Sequence, residues 1–267
     1  MVEHGDEGVP PEGGIPGFGD SGLEPIPSDE SGEWLYPGFD VKGRLGRGGF
    51  ATVYLAREYD VRRDVALKTP ARDQQQRDPK ELMRFLDEAN VTAQLQHPGV
   101  VPVYRLAEDT LGRPYYTMRP VEGQTLGDIL GKLRADDTQA LERFPLRRLI
   151  RILHACCQTV RFAHDRSVIH RDLKPANIVV GDYGEVLVID WGMAKVMGTG
   201  DRPTGAECDS RRSVWQHYQQ PVESLRQDSD SSFPATLEGE YMGTPAWMSP
   251  EQALGLVDEI DARSDVW

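Results

Sequence analysis

Apolar and polar positions alternate along the first part of the chain. Phe39-Asp40-Val41-Lys42-Gly43-Arg44-Leu45 reads as a half-buried strand. Thr52-Val53-Tyr54-Leu55-Ala56 and Asp64-Val65-Ala66-Leu67-Lys68 follow in the same manner, separated by Gly-rich or charged turns. Three such runs predict an antiparallel meander. The period then lengthens. Asp78-Pro79 offers an N-cap and a first-turn Pro, and Leu82, Phe85, Leu86, Ala89 and Ala93 recur at helical spacing as far as His97-Pro98-Gly99. Val100-Val101-Pro102-Val103-Tyr104 and Tyr115-Tyr116-Thr117-Met118 read as two more strands. A small sheet with one helix is expected here.

After Gly123 the pattern turns helical. Leu126, Ile129 and Leu130 open one helix. Leu146, Leu149, Ile150, Leu153, Cys157 and Val160 mark a longer one and are its expected apolar positions. Cys156 and Cys157 read as small core residues of that helix, and His154 and His164 as structural histidines. Two short β runs, 177–180 and 186–189, flank the turn Gly181-Asp182-Tyr183-Gly184. The pattern as a whole predicts an α+β class. No internal repeat is visible.

Composition changes this picture at two places. Residues 1–33 carry nine acidic residues and no Lys or Arg, are crowded with Gly and Pro, and hold few aromatic or β-branched side chains. Such a segment buries too little apolar surface to offset its ordering entropy, so 1–38 is expected to be a disordered acidic tail. Residues 198–239 are polar, and are expected to form a long flexible insert. Within it Val214, Trp215, Tyr218, Val222 and Leu225 keep a roughly helical spacing, broken by Pro221. One weak amphipathic turn could dock there, although a floppy insert is the expectation.

The 267 residues are 39% apolar and 27% charged, with a formal net charge of −13. That balance disfavours binding to nucleic acid or anionic lipid through charge alone. No run approaches 18 apolar residues, so no membrane segment is expected within the chain, and the acidic start is unlike a secretory signal. Cys156, Cys157 and Cys208 make no disulfide framework, which points to a reducing compartment and a cytoplasmic setting.

Three stretches carry chemistry. Gly46-Arg47-Gly48-Gly49-Phe50-Ala51 lies between two strands, a context that fails for a dinucleotide-binding turn but suits a loop folded over phosphates. An ordinary hairpin with a bulge would look similar. Val65-Ala66-Leu67-Lys68 puts a Lys inside an apolar strand, which is costly unless the charge is paired. A phosphate and a carboxylate would pair it, and Glu88, in mid-helix between Leu86 and Ala89, is the natural carboxylate. The third stretch is His170-Arg171-Asp172-Leu173-Lys174-Pro175-Ala176-Asn177, followed 18 residues after Asp172 by Asp190-Trp191-Gly192. Two carboxylates, a Lys and an Asn clustered at the ends of short strands suit a base, a phosphate contact and oxygen ligands for Mg²⁺.

In order and spacing these motifs resemble the protein kinase superfamily, in its serine/threonine branch, and within it the eukaryotic-like kinases of bacteria. Gly243-Thr244-Pro245-Ala246-Trp247-Met248-Ser249-Pro250-Glu251 completes the series, so the likeness runs from about Phe39 to Trp267, interrupted by the insert. The resemblance implies a bilobal fold. Residues 39–121 would be the small lobe, and 122–267 an incomplete helical lobe.

It also implies roles. ATP and Mg²⁺ would be the cofactors, and a protein bearing Ser or Thr the substrate. Leu45, Gly46, Gly48, Gly49, Val53 and Ala66 would enclose ATP, with the glycines over the phosphates. Lys68, held by Glu88, would contact the α and β phosphates. Met118 would guard the back of the pocket, and the Arg119 carbonyl and Val121 N–H would hold the adenine. Pro120, which lacks an N–H, falls between them. Asp172 would take or orient the substrate hydroxyl proton, Lys174 would contact the γ phosphate, and Asn177 and Asp190 would bind Mg²⁺. Lys174 and Thr244 favour Ser/Thr over Tyr substrates. Arg171 is expected to pair with a loop charge: Glu240 stands where a phosphorylated residue often lies, and Thr236 is the candidate for autophosphorylation, with self-association as its route.

Ala51 and Trp191 depart from the family pattern, the latter in place of Phe. The larger departure is at Asp265-Val266-Trp267, which looks like the opening of a central helix of the helical lobe. The expectation drawn from it is that these 267 residues alone bind nucleotide weakly and transfer phosphate negligibly. A kinase-like scaffold that binds nucleotide without catalysis is therefore the alternative reading.

Overall fold

The computed structural model describes residues 35–48, 51–71, 79–197, 222–225 and 244–267. Strands β1 (Phe39–Arg47), β2 (Ala51–Glu58) and β3 (Arg63–Pro70) form the expected meander. Helix α1 (Pro79–Gln94) follows, then β4 (Val103–Glu108) and β5 (Pro114–Met118). The five strands make one antiparallel sheet in the order β1-β2-β3-β5-β4.

Adjacent residues of a strand face opposite sides of the sheet. Tyr115 and Tyr116 of β5 therefore serve two cores. Tyr115 is buried with Leu35, Tyr36, Phe39, Tyr54, Val65 and Leu67, and the Tyr36 and Phe39 rings meet it edge-on at 5.1 and 6.1 Å. Tyr116 packs on the other side against Phe85 and Ala89 of α1. Leu35 and Tyr36 are fully or almost fully buried, at 0% and 2% exposure, so residues 35–38, expected to belong to the tail, are part of the lobe. Two large side chains here outweigh the composition of the segment before them.

The fourth strand also differs from expectation. Val100 and Val101 are buried but lie outside the ladder, which starts at Val103. Pro102 has no N–H to give to a ladder. Val100 instead bridges Val188 in the other lobe. In α1, Phe85 and Ala89 are buried as expected, but Ala93 is exposed, and Asp87, Val91 and Thr92 are buried in its place.

The second lobe is built from β6 (Gln124–Thr125), α2 (Leu126–Arg134), α3 (Thr138–Arg143), α4 (Leu146–Asp165), β7 (Val168–Ile169), β8 (Ile178–Val180), β9 (Val186–Val188), β10 (Lys195–Val196) and α5 (Pro250–Ala253). Gly123, at φ +137°, turns the chain into β6 where a Cβ would lie 2.4 Å from the Val180 carbonyl oxygen. Thr125 caps α2 by accepting from the Asp128 N–H. The core of this lobe gathers Ile129, Phe144, Ile152, Cys156, Val160, Ala163, Ile178, Val188 and Trp191, with Val91 of α1 and Leu95 just past its end reaching in.

Helix α4 buries one of its two apolar stripes and leaves the other exposed. Its buried residues are Ile152, Cys156, Thr159, Val160 and Ala163, whereas Leu146, Ile150 and Leu153 are 73%, 57% and 60% exposed. Cys157 is exposed too. Two apolar stripes run along this helix, and the periodicity does not say which faces the core. Cys156 does sit in the core, and burial pushes its thiol up to about 11, which keeps it protonated at neutral pH. No helix among the described residues is long and apolar enough to cross a membrane.

Candidate active site

Lys68 stands in β3, opposite Val53 of β2 and Tyr116 of β5. Its ammonium reaches Glu88 Oε1 of α1 at 2.5 Å, with both side chains largely buried at 16% and 11% exposure. The expected pair is thus formed. Sequence reasoning missed its third member. The Tyr116 hydroxyl donates to the same Glu88 Oε1 at 3.0 Å, and its ring lies 5.7 Å from Lys68 Nζ. Burial, reinforced by the Glu88 carboxylate, raises the Tyr116 phenol well above its ordinary range, so it remains a donor.

Gly46 near the end of β1 is paired with Val53 of β2, the residue opposite Lys68. Gly46 and Gly48 are exposed, and the Gly48 N–H donates to the Ala51 carbonyl at 2.8 Å. Gly49 lies outside the described residues. Leu45 and Val53 are half-buried, and Ala66 is buried opposite Met118. Met118 and Val121 border a cluster of Val101, Val179 and Leu187, which joins the two lobes at the linker. The Arg119 N–H is taken up by the Pro102 carbonyl at 3.1 Å. Among the described residues the Arg119 carbonyl and the Val121 N–H make no hydrogen bond, so one acceptor and one donor two residues apart remain open.

The chain segment 170–177 is fixed from several sides. His170 is fully buried. Its Nδ1 accepts from the Asp172 N–H at 3.3 Å and its Nε2 donates to the Ile189 carbonyl at 3.1 Å, partners that place the ring proton on Nε2. Asp265 accepts the N–H groups of His170 and Arg171, each at 2.8 Å, and the His164 Nε2–H at 2.7 Å. His164 therefore has a definite partner, and Asp265 anchors this backbone from a 3₁₀ turn at Ala262–Asp265. The anchor does not need a long helix: three donors converge on one carboxylate, and Asp261 caps the turn through the Arg263 N–H. Arg171, at φ +65°, directs Nε to the Met193 carbonyl at 2.6 Å. Gln252 of α5 donates to the Arg171 carbonyl at 2.7 Å, which ties the Ser249-Pro250-Glu251 segment to the same turn. Glu251 accepts from Ser264 Oγ.

Asp172 is buried, and its Oδ2 accepts from Lys174 Nζ at 2.6 Å and from Asn177 Nδ2 at 3.0 Å. Both contacts fall on one oxygen, which leaves Oδ1 to accept a further proton donor. Lys174 Nζ also donates to Thr244 Oγ1 at 2.8 Å. Asn177 spends its amide N–H groups on Asp172, and its carbonyl oxygen is the group left to ligate. Asp190 is exposed at the end of β9 in the left-handed region at φ +66°, a backbone strain of the kind found at functional sites. Next to it, a Cβ on Gly192 would come within 3.3 Å of Glu88 Oε2 and 3.5 Å of Asp190 Oδ1, so the two carboxylates border one small space. Trp191 is 2% exposed, meets His170 edge-on at 4.7 Å and donates to the Val188 carbonyl. It fills the apolar position that the resemblance gives to Phe.

Asn177 and Asp190 offer only oxygen donors, the donor type that suits Mg²⁺. Among the described residues no group of three or more His, Cys, Asp or Glu could cage a metal, so an ion here would complete its shell with phosphate oxygens and water. A separate cavity of about 560 Å³, lined by Lys195, Met197, Ser249, Glu251, Ile260 and Trp267, lies away from these groups. Thr236 and Glu240 lie outside the described residues.

Residues 39–267 match the family described as protein kinase domain. Among curated relatives, the serine/threonine-protein kinase PknD of Protochlamydia amoebophila is 37% identical over 229 residues, covering 81% of this chain and 21% of that protein. The proteins of the same name from Chlamydia muridarum and Chlamydia trachomatis are 32% and 34% identical, each match covering 84% of this chain and 23% of the relative. The chain thus spans about a fifth of the length of these relatives. With the Lys68–Glu88 pair, the Asp172 cluster and Asp190 arranged as above, the chain belongs to the protein kinase family, among the eukaryotic-like serine/threonine kinases of bacteria.

Proposed function

We propose that this chain handles ATP and a protein hydroxyl at one cleft, and transfers the γ phosphate to Ser or Thr. The observation that carries the reading is the Asp172 cluster. One carboxylate oxygen is locked by Lys174 and Asn177, and the other is open to a substrate hydroxyl. Asp172 orients that hydroxyl and accepts its proton through Oδ1. Lys174 lies 2.6 Å from Asp172 and holds Thr244, so it is suited to balance charge on the transferring group and to border the substrate segment. Lys68, kept in place by Glu88, binds the α and β phosphates. The Arg119 carbonyl and Val121 N–H take the adenine edge, with Met118 behind it and Leu45, Val53 and Ala66 around it. Gly46, Gly48 and Gly49 let backbone N–H groups approach the phosphates. Asn177 and Asp190 would hold Mg²⁺, which neutralises charge on the phosphate oxygens when bound.

The Lys68–Glu88 pair, the Asp172–Lys174–Asn177 cluster and Asp190 support catalysis over a scaffold that only binds nucleotide. Arg171 pairing with Glu240, and autophosphorylation of Thr236 between two copies, belong to the same reading. So do a protein substrate rather than a nucleic acid, and a cytoplasmic setting, supported by the unpaired thiols of Cys156 and Cys157. The test is Mg-ATP affinity by titration calorimetry. Lys68→Met should lower it at least tenfold while leaving the far-ultraviolet spectrum unchanged, since Tyr116 still donates to Glu88. Unchanged affinity would show that Lys68 does not face the nucleotide.

A further inference from the structure

Residues 222–225 belong to the long polar stretch between Asp190-Trp191-Gly192 and Ser249-Pro250-Glu251, yet they are seated on both lobes. Val222 is 3% exposed within the core of the second lobe, and its N–H donates to the Arg166 carbonyl at the end of α4. The next three residues run along α1. The Glu223 N–H donates to Gln94 Oε1 at 2.9 Å. Its carbonyl accepts from Asn90 Nδ2 and Gln94 Nε2, each at 2.8 Å. The Ser224 hydroxyl and the Leu225 N–H both donate to Asp87 Oδ1 at 2.8 Å. Asp87, Asn90 and Gln94 are spaced i, i+3 and i+7, so they form one stripe of α1. Asp87 is 2% exposed and directly precedes Glu88, the partner of Lys68.

We propose that Val222–Leu225 is an internal strap that sets the position of α1 and so holds Glu88 on Lys68; this rests on the kinase reading of that ion pair. The chemistry favours a strap over incidental contact. A buried carboxylate left without donors is costly, and the strap supplies two donors to Asp87. Its other bonds pair backbone groups with amide side chains that can both donate and accept, a combination that fixes register along the helix. Val222 anchors the same four residues in the second lobe. Rotation of α1 would break the Asp87, Asn90 and Gln94 bonds together, and would carry Glu88 away from Lys68. Asp87 and Ser224 act through Glu88 and are positioning residues.

The test uses the full chain and two measurements, hydrogen–deuterium exchange of α1 without nucleotide and Mg-ATP affinity. Ser224→Asp sets a second carboxylate against Asp87, and should raise exchange of α1 about tenfold, leave the β1–β3 sheet protected and weaken Mg-ATP binding. Leu225→Pro, which removes the N–H donor, should do the same. Glu223→Ala should be silent, because Glu223 contributes only backbone groups to the strap. In an Asp87→Asn background the effect of Ser224→Asp should shrink, since the opposing charge is gone. Should Leu225→Pro fail to fold, Ser224→Asp with its Asp87→Asn partner decides. Exchange of α1 unchanged by Ser224→Asp would overturn the strap. Raised exchange without any Mg-ATP binding in the parent chain would leave the strap standing and remove the kinase reading instead.

Discussion

Tyr116 carries a role that its neighbours in sequence conceal. Tyr115 and Tyr116 are the same residue type in the same strand, and alternation alone does not tell which faces α1. Only the paired register Lys68↔Tyr116 brings the second hydroxyl to Glu88. Tyr116→Phe keeps the ring and removes the donor. A hydrogen bond to a charged group contributes about 1.5–3 kcal/mol, part of which Lys68 retains, so the rate should fall about tenfold while the melting temperature shifts by only a few degrees. Lys68 and Glu88, by contrast, were legible, because a Lys in an apolar strand requires a partner.

Asp265 shows a second residue-scale effect. Burial alone would raise its carboxyl. The His164 hydrogen bond, the nearby His170 and the His170 and Arg171 N–H groups outweigh that and hold it below its ordinary range. A carboxyl depressed in the folded state stabilises fully above its unfolded value of about 3.9, and the contribution is lost as pH falls through the lower folded value. Stability from denaturant titrations should therefore drop as pH falls below about 4. Asp265→Asn should be less stable at neutral pH and show a flatter dependence in that window. An equally steep dependence in the variant would place the titrating group elsewhere.

At the scale of elements, the runs that the sequence predicts as β1, β2, β3, α1 and α4 are all present, and the errors have physical causes. The expected fourth strand began too early because Pro102 cannot join a ladder. In α4 the apolar positions fall in two stripes, and the one with Leu146, Ile150 and Leu153 stays exposed while the one with Ile152, Cys156 and Val160 is buried. The distinction is measurable. Ile152→Ala should destabilise the chain by about 2–5 kcal/mol, and Leu153→Ala by under about 0.5 kcal/mol, in urea unfolding. The reverse order would mean that the helix is turned the other way. The docked turn at 222–225 was foreseen only as a weak amphipathic pattern containing Val222 and Leu225. Its hold on α1 comes from backbone groups of Glu223 and Leu225, which no side-chain pattern records.

At the scale of the whole molecule, the two lobes meet where chemistry collects. Val100, between α1 and β4, bridges Val188, Val91 of α1 and Leu95 just past its end enter the core of the second lobe, and Met118 packs against the cluster of Val179 and Leu187. Glu88 from one lobe and Asp190 from the other thus border one small space beside Gly192. The motifs announced each half, but the closure depends on contacts among residues nearly a hundred positions apart.

The central claim is tested most directly by following labelled γ phosphate from ATP to a basic protein bearing Ser, Thr and Tyr, with Mg²⁺, for the chain and its Asp172→Asn variant. The account predicts Mg-dependent label on Ser and Thr alone, with Asp172→Asn lowering the rate at least 100-fold. Turnover is expected below the roughly 1–100 per second of kinases in general, given the exposed apolar stripe of α4. Label on Tyr, or transfer that Asp172→Asn leaves unchanged, would contradict it.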